Sequence, residues 1–317
     1  MEEELNLKEL FYYFLDRYKK ILKIAYYVLG ALVLYFLIFK LKGIINTENI
    51  TVVNIITSIV KQIVIYAILA LICGCGYMFL VYYFDNSIKS EETILKKLKL
   101  KLFGIMLNKD DTSSLKNVKS NIYMNDKDTK VVLVTRSNKE TTQAKLVCNL
   151  AKEYANDSKK VVILDTDLYN NNIKKLFGIE STLGYTDIIS DNADVKDAII
   201  NTDNELIDII VNGENETDPI EIISNKDNEK LIKELSKKYD LVLINSPALL
   251  GTTGTLELAK YSDIVLVDVE NEKTIQNELK DSISLLNEDT FVAAVVTNVN
   301  ESSKNYSDYS KNYYFNK

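Results

Sequence analysis

An uninterrupted run of 22 uncharged residues, from Ile63 to Phe84, constrains this chain more than any other feature. A helix of that length crosses the ~30 Å hydrocarbon core of a bilayer. A second apolar run, Ile24 to Phe39, is extended by its neighbours, and Lys23 can reach the polar boundary with its ammonium group. The sequence therefore predicts two transmembrane helices, over residues 21–41 and 63–84.

Basic residues predict how these two spans are oriented. Nine of them flank the outer ends of the hairpin: Arg17, Lys19, Lys20, Lys23, Lys89, Lys96, Lys97, Lys99 and Lys101. Because basic residues stay on the cytoplasmic side, we expect both termini on the cytoplasmic side of the membrane. Residues 1–20 are then a cytoplasmic amphipathic segment, and residues 42–62 a short extracytoplasmic connector. Within the connector, Val52 to Val60 is expected to form a small interfacial helix.

Ala70 and Gly74 lie four residues apart in the second span. Small residues at this spacing often form a helix-packing face. Small residues without a partner explain the pair equally well, so the sequence leaves both readings open.

The composition turns polar after the second span. Residues 85–129 read as a juxtamembrane helix followed by a linker. The helix, Lys89 to Leu102, is basic and amphipathic, which favours an anionic membrane surface. The linker contains one helical piece around residues 115–122.

Short apolar runs alternate with helical stretches beyond residue 130. Six runs have the length of strands: 131–135, 161–165, 207–211, 241–245, 263–269 and 292–297. Continuously apolar strands separated by helices are typical of a parallel sheet covered on both faces. The sequence thus predicts a doubly wound, mostly parallel α/β domain over residues 130–300, followed by a tyrosine-rich tail, 301–317.

Composition excludes several classes of function. The chain has no histidine, so imidazole metal sites and serine–histidine or cysteine–histidine catalysis are excluded. Its formal net charge of −7 argues against nucleic acid as the main partner. Three cysteines, two of them inside the second span, do not form a disulfide framework.

The first strand of the predicted domain, 131–135, leads through a loop into an apolar helix. This order is typical of a P-loop ATPase, whose loop reads G-x-G-K-[ST]. Here Glu140 and Thr142 occupy the glycine positions, Gln143 the lysine position and Ala144 the position of the Mg²⁺-binding hydroxyl. The sequence predicts a loop that has lost the groups that cradle phosphate.

Two carboxylates, Asp165 and Asp167, follow the second strand of the domain. The carboxyl ends of parallel strands meet at the ligand-binding edge of such a sheet. Coordination of Mg²⁺ and the capping of a following helix by solvated loop acids are both compatible with this spacing. Asn245 ends the strand 241–245, where a working enzyme carries the Walker B aspartate.

Several segments carry a resemblance to a known family, and they cover nearly the whole chain. They are 4–10, 85–92, 102–105, 165–168, 175–178, 218–223, 246–247 and the tyrosines of the tail. Through them the chain resembles the bacterial tyrosine kinases (BY-kinases) of capsule and exopolysaccharide biosynthesis, with their polysaccharide co-polymerase, or chain-length-determinant, membrane module. The resemblance implies a P-loop domain of the MinD/ParA type. It also implies phosphoacceptor tyrosines in the tail, Tyr306, Tyr309, Tyr313 and Tyr314.

The chain departs from this family at functional positions. The family's outer domain has shrunk to the connector between the spans. Its Glu-x-x-Arg-x-x-Arg subunit-contact motif corresponds to Ser113, Lys116 and Lys119, so the acid is missing. Gly254 stands where the family has a later aspartate.

These departures favour a catalytically inactive member of the family, a pseudokinase that acts as scaffold or regulator and needs no cofactor. The alternative is an active, ATP- and Mg²⁺-dependent tyrosine autokinase. In that reading, Lys139, Thr141 and Thr142 contact the nucleotide, and Asp165 and Asp167 bind the metal. A third reading is a nucleotide-independent membrane protein whose domain only dimerises. Expected partners are the membrane, further copies of the chain, polysaccharide polymerase or export proteins, or an active BY-kinase.

Overall fold

The chain divides into two compact units between Asn86 and Ser87, and each is described by itself. The structure, a computed structural model, describes residues 7–40, 52–107, 112–138, 143–191, 193–214 and 218–299. The predicted tyrosine tail and the loop residues 139–142 lie outside these ranges.

In the residues of the first unit that the structure describes, there are three α-helices. They are α1 (Leu7–Asp16), α2 (Tyr18–Tyr35), which continues as a π-helical turn (Phe36–Lys40), and α3 (Val52–Phe84). Two stretches, Tyr18–Phe39 and Val52–Phe84, are long and apolar enough to cross a membrane, with hydropathies of 2.2 and 2.4.

The start of α3 corrects the sequence prediction. We expected a separate interfacial helix over Val52 to Val60, but one continuous helix begins at Val52. Residues 52–62 contain no proline or glycine to break it, and the Thr57 hydroxyl donates to the Val53 carbonyl oxygen at 2.8 Å within the same helix. Residues 52–62 therefore belong to α3, and the connector between the two apolar helices is shorter than predicted.

Ala70 and Gly74 form a packing face between α2 and α3. Ala70 is buried, and a Cβ atom at Gly74 would lie 3.0 Å from the carbonyl oxygen of Ile21. Of the two readings that the sequence left open, the structure thus supports the packing face. Since the glycine lets the backbones approach closely, the two helices pack as a hairpin.

The second unit contains one sheet. Within the described residues it has eight strands: β1 (Lys101–Leu107), β2 (Val131–Arg136), β3 (Val161–Asp165), β4 (Ile200–Asn201), β5 (Ile207–Ile210), β6 (Leu241–Asn245), β7 (Ile264–Glu270) and β8 (Val292–Val299). The spatial order is β1-β8-β7-β2-β6-β3-β5-β4. All neighbours run parallel except β4, which pairs antiparallel with β5. The predicted doubly wound, mostly parallel sheet is confirmed.

Helices cover both faces of the sheet. They are α4 (Thr112–Asn125), α5 (Ala144–Ala155), α6 (Asn172–Phe177), α7 (Tyr185–Ser190), α8 (Val195–Ala198), α9 (Pro219–Ile223), α10 (Asp227–Lys238), α11 (Thr253–Ala259) and α12 (Gln276–Ser284). Successive strand residues point to opposite faces, so Leu133 joins one hydrophobic cluster and Val132 the other. α4 and α5 pack on the Val132 face, and α10 and α12 on the Leu133 face.

Strand β1 corrects the predicted juxtamembrane helix. The stretch Lys89 to Leu102 forms only a short π-helical turn, Thr93–Lys97, before β1 begins. β1 pairs with β8 and is buried, because Gly104 lets α4 approach: a Cβ atom there would lie 2.5 Å from Val118 Cγ2. The compact unit includes residues from Ser87 onward, so β1 joins the sheet from a part of the chain that precedes the predicted domain start at residue 130.

Candidate functional site

Three central strands bring the predicted site residues to one edge of the sheet. β2 lies between β7 and β6, and β6 lies between β2 and β3. Asn245 on β6 is in register with Val134 on β2 and with Asp165 on β3. Because all three strands are parallel, the loops after them meet at the same carboxyl edge.

Gln143, at the lysine position of the loop, faces inward. Its side chain is fully buried immediately before α5. Its amide oxygen accepts a hydrogen bond from Arg136, and its amide nitrogen donates to the carbonyl oxygen of Ser246. Ala144, the first residue of α5, is also buried. The predicted nucleotide contacts Lys139, Thr141 and Thr142 lie outside the described residues.

Arg136 is the functional residue that the sequence reading missed. Its guanidinium group is 2% exposed. One nitrogen donates to Gln143, and another lies 3.2 Å from Asp167 Oδ2. A cation at the end of an otherwise apolar, buried strand is costly unless an acid accompanies it. That mismatch between residue type and position is the signal that predicts a buried acidic partner.

Asp165 and Asp167 lie together at the carboxyl end of β3, as predicted. Asp165 Oδ1 accepts from Asn245 Nδ2 at 2.7 Å and from the Asp167 backbone N–H at 3.2 Å. Asp165 Oδ2 and Asn245 Oδ1 have no hydrogen-bond partner among the described residues. Asn245 thus contributes an amide contact to Asp165 where a second carboxylate would repel it.

The pKa of Asp165 reflects this burial. Desolvation raises it from 3.8 to about 8; the hydrogen bond from Asn245 opposes the rise, and the charge of Asp167 adds to it. Within the described residues, no group of three or more Asp, Glu, His or Cys side chains is arranged to hold a metal ion.

A further buried acid, Asp268 on β7, lies near Arg136. Burial raises the pKa of Asp268 to about 7, a hydrogen bond from Thr297 lowers it, the charge of Glu270 raises it and the charge of Arg136 lowers it. Thr297 Oγ1 donates to Asp268 Oδ1 at 2.6 Å. Arg136 thus forms an ion pair with Asp167 after β3 and is in register with Asp268 on β7.

The loop after β6 is hydrogen-bonded along the end of β2. The Leu249 N–H donates to the Arg136 carbonyl oxygen at 2.9 Å, and the Leu250 N–H donates to the Ser137 carbonyl oxygen at 3.1 Å. The Thr135 hydroxyl donates to the Pro247 carbonyl oxygen at 2.7 Å. Protein groups therefore connect the two segments that flank a nucleotide's phosphates in a P-loop enzyme.

The predicted subunit-contact positions fall on α4. Ser113 and Lys116 are exposed. Lys119 instead forms ion pairs with Glu153 Oε1 at 3.0 Å and with Asp157 Oδ2 at 2.7 Å. Glu153 lies in the last turn of α5, and Asp157 lies just after the helix ends. The last basic residue of that motif therefore joins α4 to α5 within one chain.

Comparisons with known proteins identify a matching family and several similar sequences. A family model described as an AAA domain matches residues 130–289, about half of the 317-residue chain. The tyrosine-protein kinase ptk of Acinetobacter johnsonii is 27% identical over 196 residues, which cover 61% of this chain and 27% of that protein. The tyrosine-protein kinase YwqD of Bacillus subtilis (strain 168) is 25% identical over 149 residues, 47% of this chain and 63% of YwqD. The chain thus spans less than two thirds of the length of either relative.

A solved structure shows the same fold. The kinase domain of the Escherichia coli tyrosine kinase ETK matches with a TM-score of 0.63 at 14% identity, over 68% of this chain and 96% of that domain. Fold and site together define a P-loop-type α/β domain, with a strand–loop–helix unit beside acids that follow a neighbouring strand.

The chain belongs to the AAA domain family. Several bacterial proteins that it matches are named tyrosine-protein kinases, and the name of one of them places it in a cps region. The resemblance to this group that the sequence predicted is confirmed.

Proposed function

We propose that this chain is a membrane-anchored relative of the bacterial tyrosine kinases that transfers no phosphate and acts as a scaffold or regulator in capsular or exopolysaccharide biosynthesis. One observation carries the proposal. The side chain at the lysine position, Gln143, is buried and bound to Arg136 and Ser246 instead of being available to a phosphate.

The described residues do not fit a Mg²⁺-nucleotide. Ala144 offers no hydroxyl to the metal, and Asn245 offers no charge at the Walker B position. Each missing charge-assisted contact is worth roughly 1.5–3 kcal/mol. A nucleotide would also have to displace the buried hydrogen bonds of Gln143, which adds to this deficit.

Placement in the membrane is part of the proposal. The two apolar helices are long enough to span it, and the basic residues outside them favour a plasma-membrane hairpin with both termini in the cytoplasm. A scaffold at this place would assemble with further copies of the chain, with polysaccharide polymerase or export proteins, or with an active kinase.

The tyrosine-rich tail, residues 301–317, is a possible substrate for an active tyrosine kinase in the same assembly. We propose that such a kinase phosphorylates the tail tyrosines in trans, and that the added charge changes subunit association. These residues are Tyr306, Tyr309, Tyr313 and Tyr314. Replacing all four by phenylalanine is expected to abolish phosphotyrosine on the chain in cells and to alter polysaccharide output. Unchanged output and assembly would count against the role of the tail.

Two observations favour the alternative, an active autokinase. The relatives are named tyrosine kinases, and Asp165 and Asp167 remain at the carboxyl edge. In that alternative, Lys139, Thr141 and Thr142 would hold ATP while the two aspartates hold Mg²⁺. It predicts labelling of the tail that Lys139→Ala and Asp165→Ala abolish.

Incubation with ATP separates the two proposals. The purified full chain in detergent is incubated with Mg²⁺ and radiolabelled ATP, with an active tyrosine kinase as the positive control. No phosphotyrosine is expected, and no rise in melting temperature with millimolar Mg-ATP or Mg-ADP, since a bound ligand at a hundred times its Kd adds ~2.7 kcal/mol. Labelling of the chain that disappears in Asp165→Ala would refute the scaffold proposal and establish the alternative.

A further inference from the structure

Arg136 is exceptional for its position and its residue type. It follows five strand residues, 131–135, that are all buried. The chain is rich in lysine and has only one other arginine, Arg17. Arginine offers a planar fork of donors that contacts two partners at once, whereas lysine offers a compact point charge. The choice of arginine at this buried place therefore fits a cross-linking role.

Arg136 contacts three of the segments that meet at the site. Its side chain bonds Gln143 at the start of α5 and Asp167 after β3. Its backbone carbonyl oxygen accepts from Leu249 after β6. On the other side of β2, Arg136 is in register with Asp268 of β7. One residue thus connects the start of α5 with the segments after β3 and β6.

A P-loop enzyme connects the same segments through its ligand. The loop and its lysine hold the phosphates, and Mg²⁺ joins them to the loop hydroxyl and to the Walker B aspartate. In this chain the positions of the lysine, the hydroxyl and the aspartate are occupied by Gln143, Ala144 and Asn245. The connection that remains between these segments is made by protein groups.

We infer that Arg136 replaces the nucleotide as the cross-link at the carboxyl edge, so that the start of α5 and the segments after β3 and β6 keep one arrangement without a ligand. This inference rests on the proposed function, because it requires a site without nucleotide. It goes further in assigning a positioning role to one residue. A partner that recognises these loops would then find the same surface at any ATP concentration.

Hydrogen exchange measured by mass spectrometry tests the inference on the full chain in detergent. The test variant combines Arg136→Ala with Asp167→Asn, so that Asp167 is not left as a buried charge without its ion-pair partner. The control combines Lys119→Met with Glu153→Gln, which removes another largely buried ion pair in the same unit. The reporters are peptides that cover residues 165–171 and 245–251.

In the test variant we expect exchange in both peptides to be at least about tenfold faster, because local opening no longer breaks the hydrogen bonds from the Arg136 side chain to Asp167 and to Gln143, which in turn donates to Ser246. In the control variant we expect the wild-type rates. Wild-type rates in the test variant would overturn the inference, and so would equal acceleration in the control, which would indicate general loosening. If the double variant does not fold, Arg136→Lys keeps the charge without the fork, and wild-type protection in that variant would overturn the inference equally.

Millimolar Mg-ATP added to the wild-type chain separates the two claims. No change in exchange is expected. Protection of either peptide by nucleotide would refute both the inference and the proposed function. An Arg136 variant with wild-type exchange, together with no response to nucleotide, would refute the inference and leave the scaffold proposal standing.

Discussion

Replacing Asp165 by asparagine tests the electrostatics of the carboxyl edge directly. The Asp165 carboxyl group is fully buried, and burial is the largest of the causes that raise its pKa from 3.8 to about 8. The folded protein therefore keeps a proton on Asp165 that the unfolded chain releases above about pH 4.

The direction of the effect follows from proton binding. Between about pH 4 and about pH 8 the folded state binds more protons than the unfolded state, so the free energy of unfolding falls as pH rises through this window. The rise in pKa corresponds to at most several kcal/mol. For a domain of this size that is a drop in melting temperature on the order of 10 °C.

Asparagine at position 165 removes this dependence. Its side chain carries no charge at any pH, and its amide N–H is a donor for Asn245 Oδ1, which has no hydrogen-bond partner among the described residues. We expect Asp165→Asn to melt at a higher temperature than the wild type near pH 8 and at a similar temperature near pH 5. Part of the slope persists in the variant, because burial also raises the pKa of Asp268, to about 7.

Tyrosine fluorescence and circular dichroism follow the melting of the full chain in detergent, because the chain has 20 tyrosines and no tryptophan. Asp227→Asn is the control, since that carboxylate is half-exposed and pairs with Lys230 on the surface of α10. Equal slopes of melting temperature against pH in the wild type and in Asp165→Asn would refute the reasoning. A steeper slope in Asp165→Asn would show that Asp165 is ionised in the folded state.

Two glycines provide further tests. Gly104→Ala is expected to destabilise the second unit by about 1–3 kcal/mol, because the new Cβ lies 2.5 Å from Val118 Cγ2. Denaturant unfolding measures this loss, and adding Val118→Ala should restore part of it; no recovery would contradict the clash. Gly74→Leu should separate α2 from α3, whereas Gly76→Leu should not, because nothing lies within 4 Å of a Cβ there. The stability of the helix pair in each variant is measured as the SDS concentration at which the helical circular dichroism signal falls. An equal decrease of that concentration in both variants would contradict the packing face.

The strands that are buried on both faces were predictable from the sequence. Each of the six predicted runs forms a strand, because a parallel strand covered on both sides is continuously apolar and therefore visible. β1 was not predicted, since Lys96, Lys97, Lys99 and Lys101 give its surroundings the charge pattern of a surface helix. Its apolar residues, 102–107, become a strand only because β8 offers an open edge.

The candidate site was also predictable only in part from the sequence. The residues at the lysine, hydroxyl and Walker B positions, Gln143, Ala144 and Asn245, could be assigned by their spacing along the chain. The hydrogen bonds of the Gln143 side chain could not be predicted, because its partners Arg136 and Ser246 are 7 and 103 residues away in the sequence. Spacing predicts which position a side chain holds, but not which way it faces.

The sequence by itself determined the two long apolar segments, the alternation of strands and helices, and which residues occupy the predicted phosphate-binding positions, because each is a local property of composition or spacing. The tertiary structure alone decided that Arg136 is buried against Asp167 and in register with Asp268 of β7, and that the loop after β6 is hydrogen-bonded along the end of β2. These contacts join segments that are distant in the chain. A buried charge selects its partner only after the strands are in register, when the cost of desolvation makes that partner necessary.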